Sequence, residues 1–466
     1  MSFKVTKENF IFKKIRCILL IFMFLFAGIT SISAENITIS KIDVSNNTLI
    51  VDDDGTGDYT SIQDAIDSAE TGDKILVRAG TYYENILIDK EIELSGEEKN
   101  KIIIDAQKES KPGITVKASN VYIKNLLVQN VQKGLLRSIC IGGSLDEVEG
   151  CFYEYITISD CKVIDSASGI EVSNVKNCLI EKCEVSNVKG HSIFFTNDSD
   201  SITIDNCYLM NNGEQQEDGW YFSGNIFIDC NRDVKINNIL IKNCEIYNNI
   251  GAGIQIFGQD SSDMDNIIIT DNEIYGNTEQ GIILHYAQNV NITNNEISDN
   301  TFCGIYCSYL GKDVVISNNI ISNNGESKTS FSAGIILLDN REIVKINKNE
   351  INSNLNHGIY LLRSQDNEIK NNNISENNIG LKLDSSPQNL LIHNTISKND
   401  VGIILSDCYY DKNGLITKND FIDNGEDIQK QTKNFRFLIN RFLLLLSCKN
   451  IFSYLDILFQ NIFPRS

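Results

Sequence analysis

Aromatic and imidazole side chains recur in this chain at the interval of a short repeat. Phe257, His285, Tyr306 and Tyr360 lie in segments where apolar and polar residues alternate, and the alternation turns them outward together with Gln255 and Lys382. Rings repeated along one face suit stacking on the successive sugar rings of a polysaccharide. Glu217, Asp218 and Trp220, the only tryptophan, lie in the inserted segment Gly213–Ser223 and complete a candidate saccharide groove. The competing reading is that these rings pack beneath a loop or the C-terminal segment.

Carboxylates offer a second chemistry. A pair of them would serve as acid and base in glycoside chemistry, or as oxygen ligands for Ca2+. The candidates are Asp198 with Asp200, Glu217 with Asp218, and Asp260 with Asp263. Each lies in an Asn- and Ser-rich stretch, where Asp is favoured for backbone reasons, so the turn reading carries more weight. His191, His285, His357 and His393 are scattered and lack zinc-ligand spacing. No metal site and no resident cofactor is evident, and Ca2+ is the ion these carboxylates would suit. The formal charge of −21, from 62 Asp and Glu against 41 Lys and Arg, would repel phosphate backbones, so no nucleic-acid partner is expected.

The elements that would position these groups are repeats. One line recurs as an apolar-polar-apolar segment followed by Cys or Asn, with Cys161, Cys183, Cys207 and Cys244 giving way to Asn272, Asn295, Asn319, Asn349 and Asn372. A second column holds Asn212, Asn249, Asn277, Asn300, Asn324, Asn354 and Asn377. Gly followed by Ile marks another line at Gly169, Gly253, Gly281, Gly304, Gly334, Gly358 and Gly402, with Gly-Leu at Gly380 and looser copies at Gly190 and Gly224. The last three steps of that line are 24, 22 and 22 residues. Period-two strands this short, separated by Asn- and Gly-rich turns, cannot bury an apolar face alone, whereas stacked copies can. The expectation is an all-β, right-handed parallel β-helix, a solenoid with Ile and Val inside, amide ladders along the Asn columns and small buried thiols along the Cys column. Disulfides between neighbouring coils remain open on distance alone.

The ends differ in character. A basic stretch (Lys13, Lys14, Arg16), an apolar run from Cys17 to Ile29 and small residues up to Ala34 have the layout of a secretory signal peptide over residues 1–34, with an uncleaved anchor as the alternative. A linker (35–48) leads to an N-terminal cap (49–84). There Ser61 can cap a helix with Ile62, Ala65, Ile66 and Ala69 on one face, ended by Gly72. Repeats are expected over 85–425. Residues 426–466 read as a helical C-terminal tail that either caps the last coil or touches a membrane surface. Asn-x-Ser/Thr triplets occur at Asn36, Asn46, Asn197, Asn291 and Asn373, and in so Asn-rich a chain most are chance.

The cap segment, with Asp54-Gly55-Thr56-Gly57, Tyr59, Ser61-Ile62-Gln63, Ala65-Ile66, Gly72-Asp73, Val77 to Tyr82 and Glu84, resembles the opening of pectin-lyase-like β-helix proteins. The later coils resemble NosD-like repeats, also described as carbohydrate-binding and sugar-hydrolase (CASH) domains. Together the resemblance covers residues 50–425. It implies the fold; the family's catalytic motifs do not carry over. Asn225-Ile226-Phe227-Ile228-Asp229 lacks the acid partner that pectin methylesterases place upstream, and Gly190-His191-Ser192 is a weak match to the Gly-His-Gly of polygalacturonases. The resulting expectation is a secreted or cell-surface protein that binds or organises polysaccharide or cell-envelope glycan. A polysaccharide lyase, hydrolase or epimerase is the alternative, and a NosD-like accessory protein for a membrane metal-handling system comes third.

Overall fold

The structure is a computed structural model, and it describes residues 47–107, 111–132, 137–142, 152–214, 224–230, 235–260, 264–325, 331–408 and 416–431. The expected leader, the C-terminal tail after Gln431, and Glu217, Asp218 and Trp220 lie outside the described residues.

The strands assemble into three parallel sheets of 15, 14 and 14 strands, and each strand between the ends pairs with its counterpart one coil earlier and one coil later. The chain is a parallel β-solenoid of about 14 turns. The first sheet begins with Thr48–Val51 and Lys74–Val77, the second with Gly80–Tyr82, and the third with Ile86–Ile88. Alternation sends Ile and Val inward from all three, and one continuous core runs from Val51 to Leu405. Only one helix is present among the described residues, Ile62–Ser68. Ser61 caps it by accepting from the Asp64 amide, and the Glu84 carboxylate receives the Ile62 and Gln63 amides at 2.9 and 2.8 Å. Ile62, Ala65 and Ile66 cover the first coils. The helix stops at Ser68, earlier than Gly72, which takes a left-handed turn (φ 92°) just before the next strand.

The Asn-Asn signature has a two-part cause. At each corner the first residue is left-handed, as at Asp271, Asn294, Asn318 and Asn371 (φ 56–58°), a conformation that Asn and Asp tolerate better than most. The second Asn is buried and points into the corner. Each of its Nδ2 groups donates to the Oδ1 of the next coil's Asn: Asn272 to Asn295, Asn295 to Asn319, Asn319 to Asn349 and Asn349 to Asn372, at 2.9–3.0 Å. The same Oδ1 also accepts the preceding coil's backbone amide, as Asn319 does from Asn295 at 2.9 Å. The second column builds a ladder of the same kind from Asn249 to Asn424. Cys161, Cys183, Cys207 and Cys244 occupy the first column's earlier coils as free, buried thiols, and their sulfurs donate to backbone carbonyls.

The Gly-Ile line is a matter of close approach. A Cβ on Gly304 would stand 2.6 Å from Ile321 Cγ2 and 2.8 Å from the Gly334 carbonyl oxygen, and Gly281, Gly334 and Gly358 are as tightly placed. Glycine at this corner lets the backbone turn against the core isoleucine and the backbone carbonyl of the next coil.

Candidate functional site

The third sheet carries the outward residues singled out in the sequence. Its register aligns Glu171, Phe194, Phe227, Gln255, Ile283, Tyr306, Ile336, Tyr360 and Lys382 in one outer column. A neighbouring column runs Asp229, Phe257, His285 and Ser308. Adjacent members are about 4.8 Å apart, the spacing of paired strands.

Several of these rings touch. Arg137 lies 5.2 Å from the Phe194 ring and its Nε is 3.2 Å from the Glu171 carboxylate. Phe194 stacks on Phe227 at 5.4 Å, and His191 lies against both, at 5.2 and 4.7 Å. Phe227 meets Phe257 edge-on at 6.2 Å, and Phe257 stacks on His285 at 4.7 Å. His285 leads to Tyr309 at 6.5 Å, which stacks on Tyr286 at 5.0 Å. The result is a line of rings crossing five coils, with a guanidinium at one end. Phe194, Phe257 and His285 are half-buried, and Tyr309 is 38% exposed.

The outward direction of Tyr306 and Tyr360 is as expected, but the two are only 7% and 2% exposed. With Ala252, Ile283, Cys303, Ala333 and Ile336 they form a second apolar cluster on the outside of the sheet, so their rings offer no open face. Tyr360 stacks on His357 at 4.8 Å, with Lys382 Nζ 4.8 Å from its ring. Gln255 is buried on the same face. Phe257 and His285 alone among the described predicted residues present ring surface to solvent. Tyr286 and Tyr309 escaped the sequence reading because they follow the strand in left-handed turn positions (φ 50° and 52°), where alternation predicts nothing. Phe194 and Phe227 were in principle findable three or four residues after the loose Gly190 and Gly224 copies.

Burial sets the charge state of the site. The His285 imidazole is pulled down to about 4 and stays neutral, with Ser308 Oγ 2.6 Å from its Nδ1. Burial pushes the Asp229 carboxyl up to about 6 and that of Glu279, in the turn before the Ile282–His285 strand, up to about 7. Burial also raises Glu171, against the opposing charge of Arg137. His357 falls to about 3, through burial and then the Lys382 charge. No group of three His, Cys, Asp or Glu side chains able to hold a metal occurs among the described residues. Asp198 and Asp200 act locally instead: they accept from the Lys235 amide and Asn238 Nδ2.

Family comparison agrees with this architecture. Residues 147–262 and 222–335 match the model described as "Right handed beta helix region". The chain is a right-handed β-helix repeat protein. A further stretch of this β-helix protein, residues 326–442, matches the model described as "Periplasmic copper-binding protein (NosD)". A cell surface glycoprotein of Methanothermus fervidus is 34% identical to it over 107 residues, 22% of this chain and 16% of the relative. The match thus spans about a sixth of that protein's length. Among solved structures, tailspike protein 3 of bacteriophage CBA120 superposes with a TM-score of 0.51 at 14% identity, covering 83% of this β-helix and 61% of the tailspike. Tailspike gp61 of Pseudomonas phage phi297 gives 0.50 at 11%, covering 76% and 73%. At these identities the likeness concerns the fold alone.

Proposed function

We propose that this β-helix is a cell-surface protein that binds polysaccharide along the ring line of its third sheet. The carrying observation is the run Phe257, His285, Tyr309 and Tyr286, whose rings are in contact and partly open to solvent on neighbouring coils. A repeating ring surface at about 4.8 Å per coil can stack on an extended glycan, and a neutral imidazole behaves there as a flat, weakly polar ring. The Methanothermus surface glycoprotein supports the location, through a 107-residue stretch. The test is a glycan array with residues 35–466, followed by binding measurements on Phe257→Ala and Tyr309→Ala. Retained affinity in both variants would defeat the reading.

Asp229 supports a second reading, a carbohydrate-active enzyme. Its carboxyl, held near 6, heads the column that continues into Phe257 and His285, and a carboxyl that keeps its proton close to neutrality can act as a general acid. A product assay on any bound glycan, with and without Ca2+, separates the two. New reducing or unsaturated ends that vanish in Asp229→Asn establish the enzyme; binding without products leaves the first reading in place.

A further inference from the structure

The two ends of the solenoid are finished differently. At the N-terminal end, Ile62 and Ile66 of the helix seal the first coil, and they, Val51 and Ile75 retain no exposed surface. At the other end, the last strands of the three sheets, Ile416–Thr417, Asp420–Ile422 and Glu426–Gln431, have a partner on one side only among the described residues. Ile416, Phe421 and Ile428 hold the inward register positions of Leu391, Ile396 and Ile403, which are fully buried. Ile416 and Phe421 are half-buried, and Ile428 is 39% exposed. The rim around them is acidic, with Asp420, Asp423, Glu426 and Asp427 against Lys418 and Lys430.

The chain leaves the stack at this face. Residues 432–466, which follow Gln431, reverse the character of the protein. They are dense in Phe, Leu and Ile, and carry five bases (Lys433, Arg436, Arg441, Lys449, Arg465) against one acid, Asp456, in a chain of net charge −21. We propose that residues 435–463 dock on the C-terminal face of the last coil, covering Ile416, Phe421 and Ile428 and setting their bases against the acidic rim. An open coil end exposes both core and unpaired strand edge, which solenoids must cover. The occupant that begins next to the face and complements it in both hydrophobicity and charge is this segment. A second copy's face is equally acidic and would repel. A lipid surface would take up the bases yet leave the three inward side chains bare.

Hydrogen exchange on the full chain tests this. Amides of Glu426–Gln431 that point away from the stack should exchange slowly, and the double variant Leu444→Asp, Phe459→Asp should speed them at least tenfold while amides of Ile282–His285 keep their rates. Ile428→Asp should have the same local effect, and a photoreactive group at position 442 should cross-link to residues 416–431. Fast exchange of 426–431 in the unaltered chain, indifferent to the tail variants, overturns the proposal. So does protection that rises with protein concentration, which would mean a second copy. Cross-linking at 442 only to phosphatidylglycerol vesicles, with the face still exchanging freely, would assign the segment to a membrane instead.

Discussion

The coils up to Cys244 and the coils from Asn272 solve the same corner with different chemistry. From Asn295 to Asn394 each Asn side chain of this column accepts two hydrogen bonds from the coil before and donates to the coil after, so the column is a chain of amides as continuous as the sheets beside it. In the earlier coils a thiol fills the place and makes only weak sulfur contacts to carbonyls, from Cys244 to Lys242 and Ile204 at 3.2 and 3.8 Å and from Cys207 to Asp205 and Ile180 at 3.5 and 3.6 Å. Gly334, Gly358, Gly380 and Gly402 are spaced 24, 22 and 22 residues apart, whereas segments such as 137–155 and 213–223 interrupt the Cys-bearing half. That half also carries Arg137, Glu171, His191, Phe194 and Phe227, the near end of the ring line. The amide ladder is directional and keeps its register even across the 30-residue coil from Asn319 to Asn349, while a small thiol imposes no direction.

The contrast breaks most sharply at Asn319. Asn319→Ala strands the buried Asn295 backbone amide, removes one acceptor of its Nδ2 and the side-chain donor to the Ile292 carbonyl, and should cost about 2–4 kcal/mol in chemical denaturation. Loss of under about 1 kcal/mol would mean that the ladder is passive.

Both columns were legible in the sequence because they recur in step with period-two strands, and so was the glycine line. The physical reason for those glycines was not legible, since it depends on how closely Gly304 approaches Ile321 and Gly334 of the next coil. Outward direction was legible for Tyr306 and Tyr360, and their burial was not, because cover on an outer face comes from residues distant in sequence. Arg137 was invisible as a partner of Phe194 for the same reason: coils of unequal length hide which residues lie one step apart.

The next effect sets a carboxyl of the Cys-bearing half against an imidazole of the Asn-bearing half. Asp229 keeps its proton up to about pH 6 when folded but releases it near 4 when unfolded, so the folded state binds more protons between those values and stability falls as pH rises through them. His285 has the opposite slope: the unfolded chain takes up a proton near 6.5 and the folded one only near 4, so stability is lost as pH falls through that window. Asp229→Asn should therefore raise stability at pH 7 by roughly 2–3 kcal/mol and leave the His285 slope alone, as read from melts between pH 4 and 7.

Binding should discriminate along the ring line. Phe257→Ala is expected to weaken a glycan found on the array about tenfold, or about 1.4 kcal/mol, with Tyr360→Ala leaving its affinity unchanged except through folding. The smallest effect is expected at Cys207→Ala, about 1 kcal/mol, because only two weak sulfur contacts and a small volume are lost. A cost there equal to that of Asn319→Ala would erase the distinction between the two halves.

The regular spacing of the late glycines has a consequence for the gene. Gly358, Gly380 and Gly402 stand 22 residues apart, and each meets the next coil's carbonyl oxygen in the same way. Recombination between neighbouring repeats would then delete or duplicate 22 codons in frame and bring each Asn, Ile and Gly opposite a residue of its own kind. The length of this molecule can change by inheritance in whole coils, while the Cys-bearing coils, with their unequal insertions, offer no such matching break points.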